Sequence, residues 1–155
     1  MRKYVLFVVA AWLLNACSHA EIDADAAVKE QAQKFAEAYF NYDFVKARQF
    51  VTSDSEKWLR FAASNVVQED VDLLNAIQKS ASVEVTDCDY QNDSVAHVTV
   101  AVYNVVLKDS IGQPAYMAGE AEFALSLVKR NGDYQVRMEG LPRNGKQSRG
   151  STSGE

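Results

Sequence analysis

The sequence predicts an α+β fold, with N-terminal helices packed on one face of a curved antiparallel sheet of about four strands. Three observations lead there. Apolar residues recur at three- and four-residue steps through the first half of the chain and at two-residue steps through the second half. Short turn signals separate the two-residue runs, so consecutive strands join as an antiparallel meander. Helices and strands are segregated along the chain, which points to α+β and not to alternating βαβ units.

The first helix starts near Asp23 or Asp25, both good N-caps. Val28, Ala32, Phe35, Ala36, Tyr39 and Phe40 form its apolar face, and Lys29, Glu30, Gln33, Lys34 and Glu37 occupy the other. Asn41-Tyr42-Asp43 breaks the pattern. A short second helix carries Phe44, Ala47, Phe50 and Val51 and ends at Thr52-Ser53. Ser53 followed by Glu56 reads as a capping box for a third helix, in which Trp58, Leu59 and Ala62 face inward. The apolar run continues through Val66, Val67, Val71, Leu74 and Ile77, with a break at Ser64-Asn65.

The strands begin with the alternating Val83-Glu-Val-Thr, and Asn92-Asp93 is a turn. Val95 to Leu107 is a long strand. It places Ala96, Val98, Val100 and Val102 on one face and His97, Thr99, Ala101 and Tyr103 on the other. A loop from Lys108 to Pro114 leads to a strand with Ala121, Phe123, Leu125 and Leu127 inward and Glu120, Glu122 and Ser126 outward. Asn131-Gly132 is a type I′ hairpin signal. The last strand turns Tyr134, Val136 and Met138 to one side and Gln135, Arg137 and Glu139 to the other.

The residues before this domain carry an address. Arg2 and Lys3 precede an uncharged run, Tyr4 to Leu14, of eleven residues. That length suits a signal peptide and falls short of the roughly 20 residues a membrane-spanning helix needs. Leu14-Asn15-Ala16-Cys17 resembles the lipobox of bacterial lipoproteins, with Asn15 a less usual occupant of its position. The resemblance implies that residues 1–16 are removed and that Cys17 is lipidated. Residues 17–24 then form a tether, and the protein is held in the cell envelope. Ser18 after Cys17 favours the outer membrane, facing the periplasm. A plain secretory leader cut near Ala16 or Ala20 is the alternative.

Losing residues 1–16 removes Arg2 and Lys3 and no acid, which moves the net charge from −5 to −7. An acidic chain lacks the basic patch that nucleic acid requires, and attachment to a membrane falls to the lipid on Cys17. Two cysteines, one of them at position 17, exclude a disulfide framework. Residues 142–155 contain no aliphatic or aromatic side chain, so they read as a disordered tail after a domain over residues 25–141.

Phe35-x-x-Ala38-Tyr39-x-x-Tyr42-Asp43-Phe44-x-x-Ala47, then a capped helix and four strands closing on Asn-Gly-Asp-Tyr134, resembles the NTF2-like superfamily. Within it the chain is similar to small bacterial lipoproteins of cystatin-like shape with no assigned activity. Tyr42 stands where the pattern usually has Gly. The resemblance implies a cleft between sheet and helices. Some members use such a cleft for isomerase or dehydratase chemistry, others bind small molecules, and many mediate assembly.

Catalytic chemistry is not evident. His19 and His97 have no spacing that links them to Cys88 as metal ligands. Neither G-x-S-x-G, a complete P-loop nor G-x-G-x-x-G occurs. Asp87 and Asp89 raise the Cys88 thiol and do not activate it. Asp43 suits a helix cap better than a general base. Tyr39, Phe40, Phe44, Phe50, Trp58 and Phe61 are mainly core, with a few available to line a cavity.

The expectation is therefore a non-catalytic binding or scaffold module without a cofactor or metal. Its ligand would be a small apolar molecule or a protein partner, and its open sheet face could form a homodimer. Tyr39, Asp43 and Trp58 are the candidate pocket residues. The alternative is a pocket enzyme of isomerase or dehydratase type that uses Asp43 and Tyr39.

Overall fold

The structure is a computed structural model, and it describes residues 23–145. Cys17, most of the tether and residues 146–155 lie outside the described residues. The first helix, α1, spans residues 23–40. It is followed by α2 (Phe44–Ala47), two 3₁₀ turns (Arg48–Phe50 and Ser53–Ser55), α3 (Glu56–Ser64) and α4 (Gln68–Ala76). Four strands complete the domain: β1 (Ser82–Asn92), β2 (Val95–Leu107), β3 (Tyr116–Arg130) and β4 (Asp133–Arg137). The sheet is an antiparallel meander in the order β1-β2-β3-β4. This is the expected α+β architecture.

The core lies between α1 and the sheet. Val28, Ala32, Phe35 and Ala36 are fully buried and meet Val98, Val100, Val102 and Leu127 of the inward sheet face. The Phe40 and Phe123 rings lie 4.3 Å apart, centre to centre, and close the α1–sheet contact at its far end. Asn131 and Gly132, at φ 53° and 95°, form the β3–β4 turn with both central residues left-handed, as a type I′ turn requires. The Tyr134 hydroxyl donates to the Asp93 carbonyl at 3.1 Å and ties the two hairpin turns together.

Two departures from simple alternation shape the sheet. The β1–β2 register shifts between Val85 and Asp87 and again between Tyr90 and Asn92. The first shift turns Cys88 inward with Val83 and Val85. In β2, burial passes from the even positions that end at Val102 to Val105. Between them Asn104 holds φ 54°, with Gly119 across the ladder and Ala121 and Ala118 showing the matching switch on β3. The far end of the β2–β3 pair therefore presents a different set of side chains to the helices than uninterrupted alternation would.

The expected capping box does not form. Ser53 lies in a 3₁₀ turn, and the N-cap of α3 is Ser55, whose side chain makes no cap bond. The Glu56 carboxylate pairs instead with Arg48 at 2.9 Å. Ser55 has a tertiary role: its fully buried Oγ accepts the Met138 N–H at 2.8 Å and lies 2.6 Å from Thr52 Oγ1. The neighbouring Thr52 N–H donates to the Val136 carbonyl at 3.0 Å, which covers the free edge of β4. Beyond β4 the chain runs back along β3. Asn144 bridges Phe123, so residues 142–145 of the expected tail lie against the sheet.

Candidate functional site

A cavity of about 530 Å³ opens where the C-terminal end of α1 meets the far end of the sheet. That volume falls within the range of small-molecule sites. Tyr39 and Phe40 enter it from α1, Phe44 from α2, and Trp58, Phe61 and Ala62 from α3. The sheet contributes Val106, Leu107 and Phe123, and the chain after β4 contributes Leu141, Pro142 and Arg143. The aromatic set is cohesive. Tyr39 stacks on Phe35 at 5.5 Å and meets Phe44 edge-on at 5.6 Å, and Trp58 meets Phe61 edge-on at 6.2 Å.

Local sequence chemistry builds this wall. Helix α1 ends in a Schellman motif: the Tyr42 N–H donates to the Tyr39 carbonyl at 3.0 Å and the Asp43 N–H to the Ala38 carbonyl at 2.9 Å. The motif calls for a left-handed residue, normally Gly, and Tyr42 fills it at φ 62°. A bulky side chain in that conformation costs about 1–2 kcal/mol. The cost is offset by ring contacts, with the Phe44 ring 5.7 Å away, and it places Tyr42 in the cavity wall. Strained residues of this kind cluster at functional sites. Asn41 anchors the same corner. Its side-chain amide donates to the Ala81 carbonyl at 3.0 Å and accepts the Ala81 N–H at 2.9 Å, which locks the entry to β1 onto the end of α1.

One buried ion pair sits in this wall, whose lining also includes Asp109, Glu139 and Arg143. Asp70 is fully buried and is the buried residue of α4. Its Oδ2 accepts the Val67 N–H at 3.0 Å, capping the helix, and pairs with Lys108 Nζ at 2.5 Å. The Lys108 ammonium also donates to the Asn65 carbonyl at 3.1 Å. Asp70 Oδ1 is buried and has no hydrogen-bond partner among the described residues. Burial and then the neighbouring Asp70 charge push the Tyr42 phenol up to about 12, and burial raises the Tyr39 phenol further still. Both hydroxyls therefore stay protonated as donors across the physiological range.

Tyr39 and Trp58 thus share one cavity wall, and Asp43 does not lie in it. The Asp43 side chain is exposed and caps α2, accepting the Lys46 N–H at 3.0 Å. The fully buried carboxylate in the wall is Asp70, and sequence reasoning missed it. Cys88 is half-buried, and its thiol is raised by that burial. Glu120, Glu122 and Arg137 lie exposed on the outer sheet face. There the ladder aligns His97, Ser126 and Arg137 across β2, β3 and β4 beside a smaller hollow of about 390 Å³. Among the described residues, no group of three or more His, Cys, Asp or Glu side chains is placed to hold a metal ion.

Comparison with known proteins adds the fold alone. A function-unknown protein from Mycobacterium tuberculosis has a similar structure, with a TM-score of 0.52 and 15% sequence identity. The match covers 82% of this chain and 75% of that one. No protein-family model matches the chain, and no curated protein does.

Proposed function

We propose that this chain is a non-catalytic binding module of the cell envelope that holds a small apolar molecule in the cavity between its helices and sheet. The observation that carries this is the cavity itself: about 530 Å³ of space walled by Tyr39, Phe40, Tyr42, Phe44, Trp58 and Phe61. The space opens to solvent and is concave and ring-lined, the form in which a small apolar molecule can bury most of its surface. A strained Tyr42 and a buried ion pair also point to a site shaped at some cost in stability. No observation favours a pocket enzyme built on Asp43 and Tyr39, because the Asp43 carboxylate is committed to the α2 cap.

The anchoring part of the proposal rests on the resemblance of Leu14-Asn15-Ala16-Cys17 to a lipobox. Among the described residues no helix is long and apolar enough to cross a membrane. Tyr39 and Phe40 lie at the end of α1 away from Cys17, roughly 25 Å along the helix from residue 23 at 1.5 Å per residue. An acyl anchor on Cys17 would therefore leave the cavity at the end of α1 remote from the tether.

The test is titration of the purified full chain with the apolar dye N-phenyl-1-naphthylamine. Saturable binding at one dye per chain is expected, and it should be lost in Ala62→Phe, which fills the cavity from α3. A linear, unsaturable response equal in both proteins would refute the binding site. Mass spectrometry of the mature N-terminus tests the anchor. A diacylglyceryl mass on Cys17 is expected, and an intact leader or a bare thiol would refute it.

A further inference from the structure

We propose that the ligand of this cavity carries a neutral hydroxyl group, which donates a hydrogen bond to Asp70 Oδ1. The inference rests on the binding function proposed above and adds the polar chemistry of the ligand.

The carboxylate of Asp70 has two oxygens in unlike states. Oδ2 is fully used, by the Lys108 ammonium and the Val67 N–H. Oδ1 is buried and finds no partner among the described residues. A carboxylate oxygen can accept two hydrogen bonds, and leaving it bare in a low-dielectric interior is among the most costly arrangements a fold can hold. Native folds retain few such atoms, and each one calls for an explanation. Here Asp70 is part of the wall of a cavity whose inner lining is largely aromatic and aliphatic and whose other charged residues are Lys108, Asp109, Glu139 and Arg143. Oδ1 has under 1 Å² exposed, so a molecule seated there supplies the missing donor once the carboxylate turns toward it.

Charge decides which donor. The Asp70 carboxylate is already neutralised by Lys108, whose side chain is itself mostly buried. A ligand ammonium at Oδ1 would bring a second positive charge beside Lys108. A ligand carboxylate or phosphate would meet Asp70 as a like charge. A neutral O–H avoids both penalties and still forms a charge-assisted hydrogen bond, the stronger kind. Tyr42 and Tyr39 share the wall, so the same ligand oxygen has protonated phenols in its surroundings and not phenolates. The rest of the wall offers ring faces, which suit a ring-bearing body. The ligand class is therefore an alcohol or phenol on a flat apolar frame.

The test compares 2-naphthol, 2-methoxynaphthalene and the cationic 1-naphthylmethylamine by isothermal titration calorimetry on the full chain. The first two have the same fused rings and differ in the O–H. 2-Naphthol should bind at least tenfold more tightly than the ether, as expected for a hydrogen bond to a charged group, and more tightly than the amine. In Asp70→Asn, whose amide carbonyl can keep the Lys108 and Val67 bonds, the preference for naphthol over ether should fall to within about twofold. The wild-type comparison stands even if that variant does not fold. Equal binding of 2-naphthol and its ether would overturn the hydroxyl inference, with a water as the occupant of Oδ1, and leave the apolar cavity in place. Tighter binding of the amine would overturn the choice of a neutral donor. No binding of any of the three would overturn both this inference and the proposed function.

Discussion

The Asp70–Lys108 pair gives the sharpest stability prediction. Lys108→Met keeps an apolar stem of similar length and removes the ammonium. Asp70, with a side chain 1% exposed, then retains the Val67 N–H on Oδ2 as its hydrogen bond. Breaking one side of a buried ion pair costs about 3–5 kcal/mol, chiefly because a charge is left buried and uncompensated. Lys108 is 18% exposed, so water can reach the vacated end, and the lower figure of about 3 kcal/mol applies. That corresponds to a fall of roughly 10 °C in Tm for a domain of this size. The double variant Asp70→Leu/Lys108→Met removes both charges. It should recover to within about 1 kcal/mol of wild type, the residual deficit being the lost cap on the Val67 N–H. Urea unfolding with matched m-values measures all four corners of the cycle. A single Lys108→Met change of less than about 0.5 kcal/mol would contradict the buried-charge argument, because it would place the pair among surface ion pairs. A double variant as unstable as the sum of its singles would contradict it equally, since that would mean no coupling.

Three further outcomes follow from the same structure. Ser55→Ala leaves the Met138 N–H buried without its acceptor, so it should cost about 1–3 kcal/mol in urea unfolding, whereas Ser53→Ala on the exposed turn should change little. Tyr42→Gly relieves about 1–2 kcal/mol of left-handed strain while losing ring packing, so its net effect should lie within about 1 kcal/mol. Tyr39→Gly, in a helical backbone with one stacked and one edge-on ring partner, should cost about 3–5 kcal/mol, and equal losses at both sites would contradict the strain assignment. Alkaline pH should destabilise the fold. The unfolded chain releases Tyr42's proton near pH 10 while the folded chain keeps it until about 12. The unfolded state thus binds fewer protons in that window, and stability, complete below pH 10, falls as pH rises through about 12. Urea midpoints at pH 9 to 12 should show a steeper fall for wild type than for Tyr42→Phe, and parallel curves would contradict the shift.

Much of the fold was legible because each signal was local. Alternation from Ala96 to Val102 fixes the inward face of β2 with no outside information, and Asn131-Gly132 carries its own backbone preference. The irregular positions were less legible. Tyr42 gave a clue, standing where the pattern has Gly, but its left-handed conformation is held by contacts that form only in the folded chain. Ser53 and Glu56 satisfy the capping spacing, yet the chain uses Ser55 to hold Met138 instead, a partner far along the sequence. The switch of face at Asn104 coincides with a break in the β2–β3 pairing between Tyr103–Glu120 and Val105–Ala118, and β2 alone does not show that.

The site was half legible for the same reason. Aromatic residues at positions 39, 44, 58 and 61 could be assigned to core or cavity, but periodicity cannot separate those two. Asp43 drew attention because it stands beside aromatics in the sequence, and that position made it a cap. Asp70 in Gln68-Glu69-Asp70 looks like ordinary first-turn acid on a solvated helix. Its burial depends on Lys108, which sits at the start of an apparent loop, and no local signal joins the two. Buried charge pairs formed by distant residues are the kind of feature that sequence patterns leave out.

The central proposal, a cavity that receives an apolar molecule, is tested most directly by amide chemical shifts in a ¹⁵N-labelled full chain titrated with 2-naphthol. Saturable shifts should concentrate at Tyr39, Tyr42, Phe61, Asn65, Leu107 and Lys108, around the cavity wall. Shifts confined to His97, Ser126 and Arg137 would put the ligand on the outer sheet face instead, and no saturable shifts at all would mean the space between helices and sheet is not a binding site.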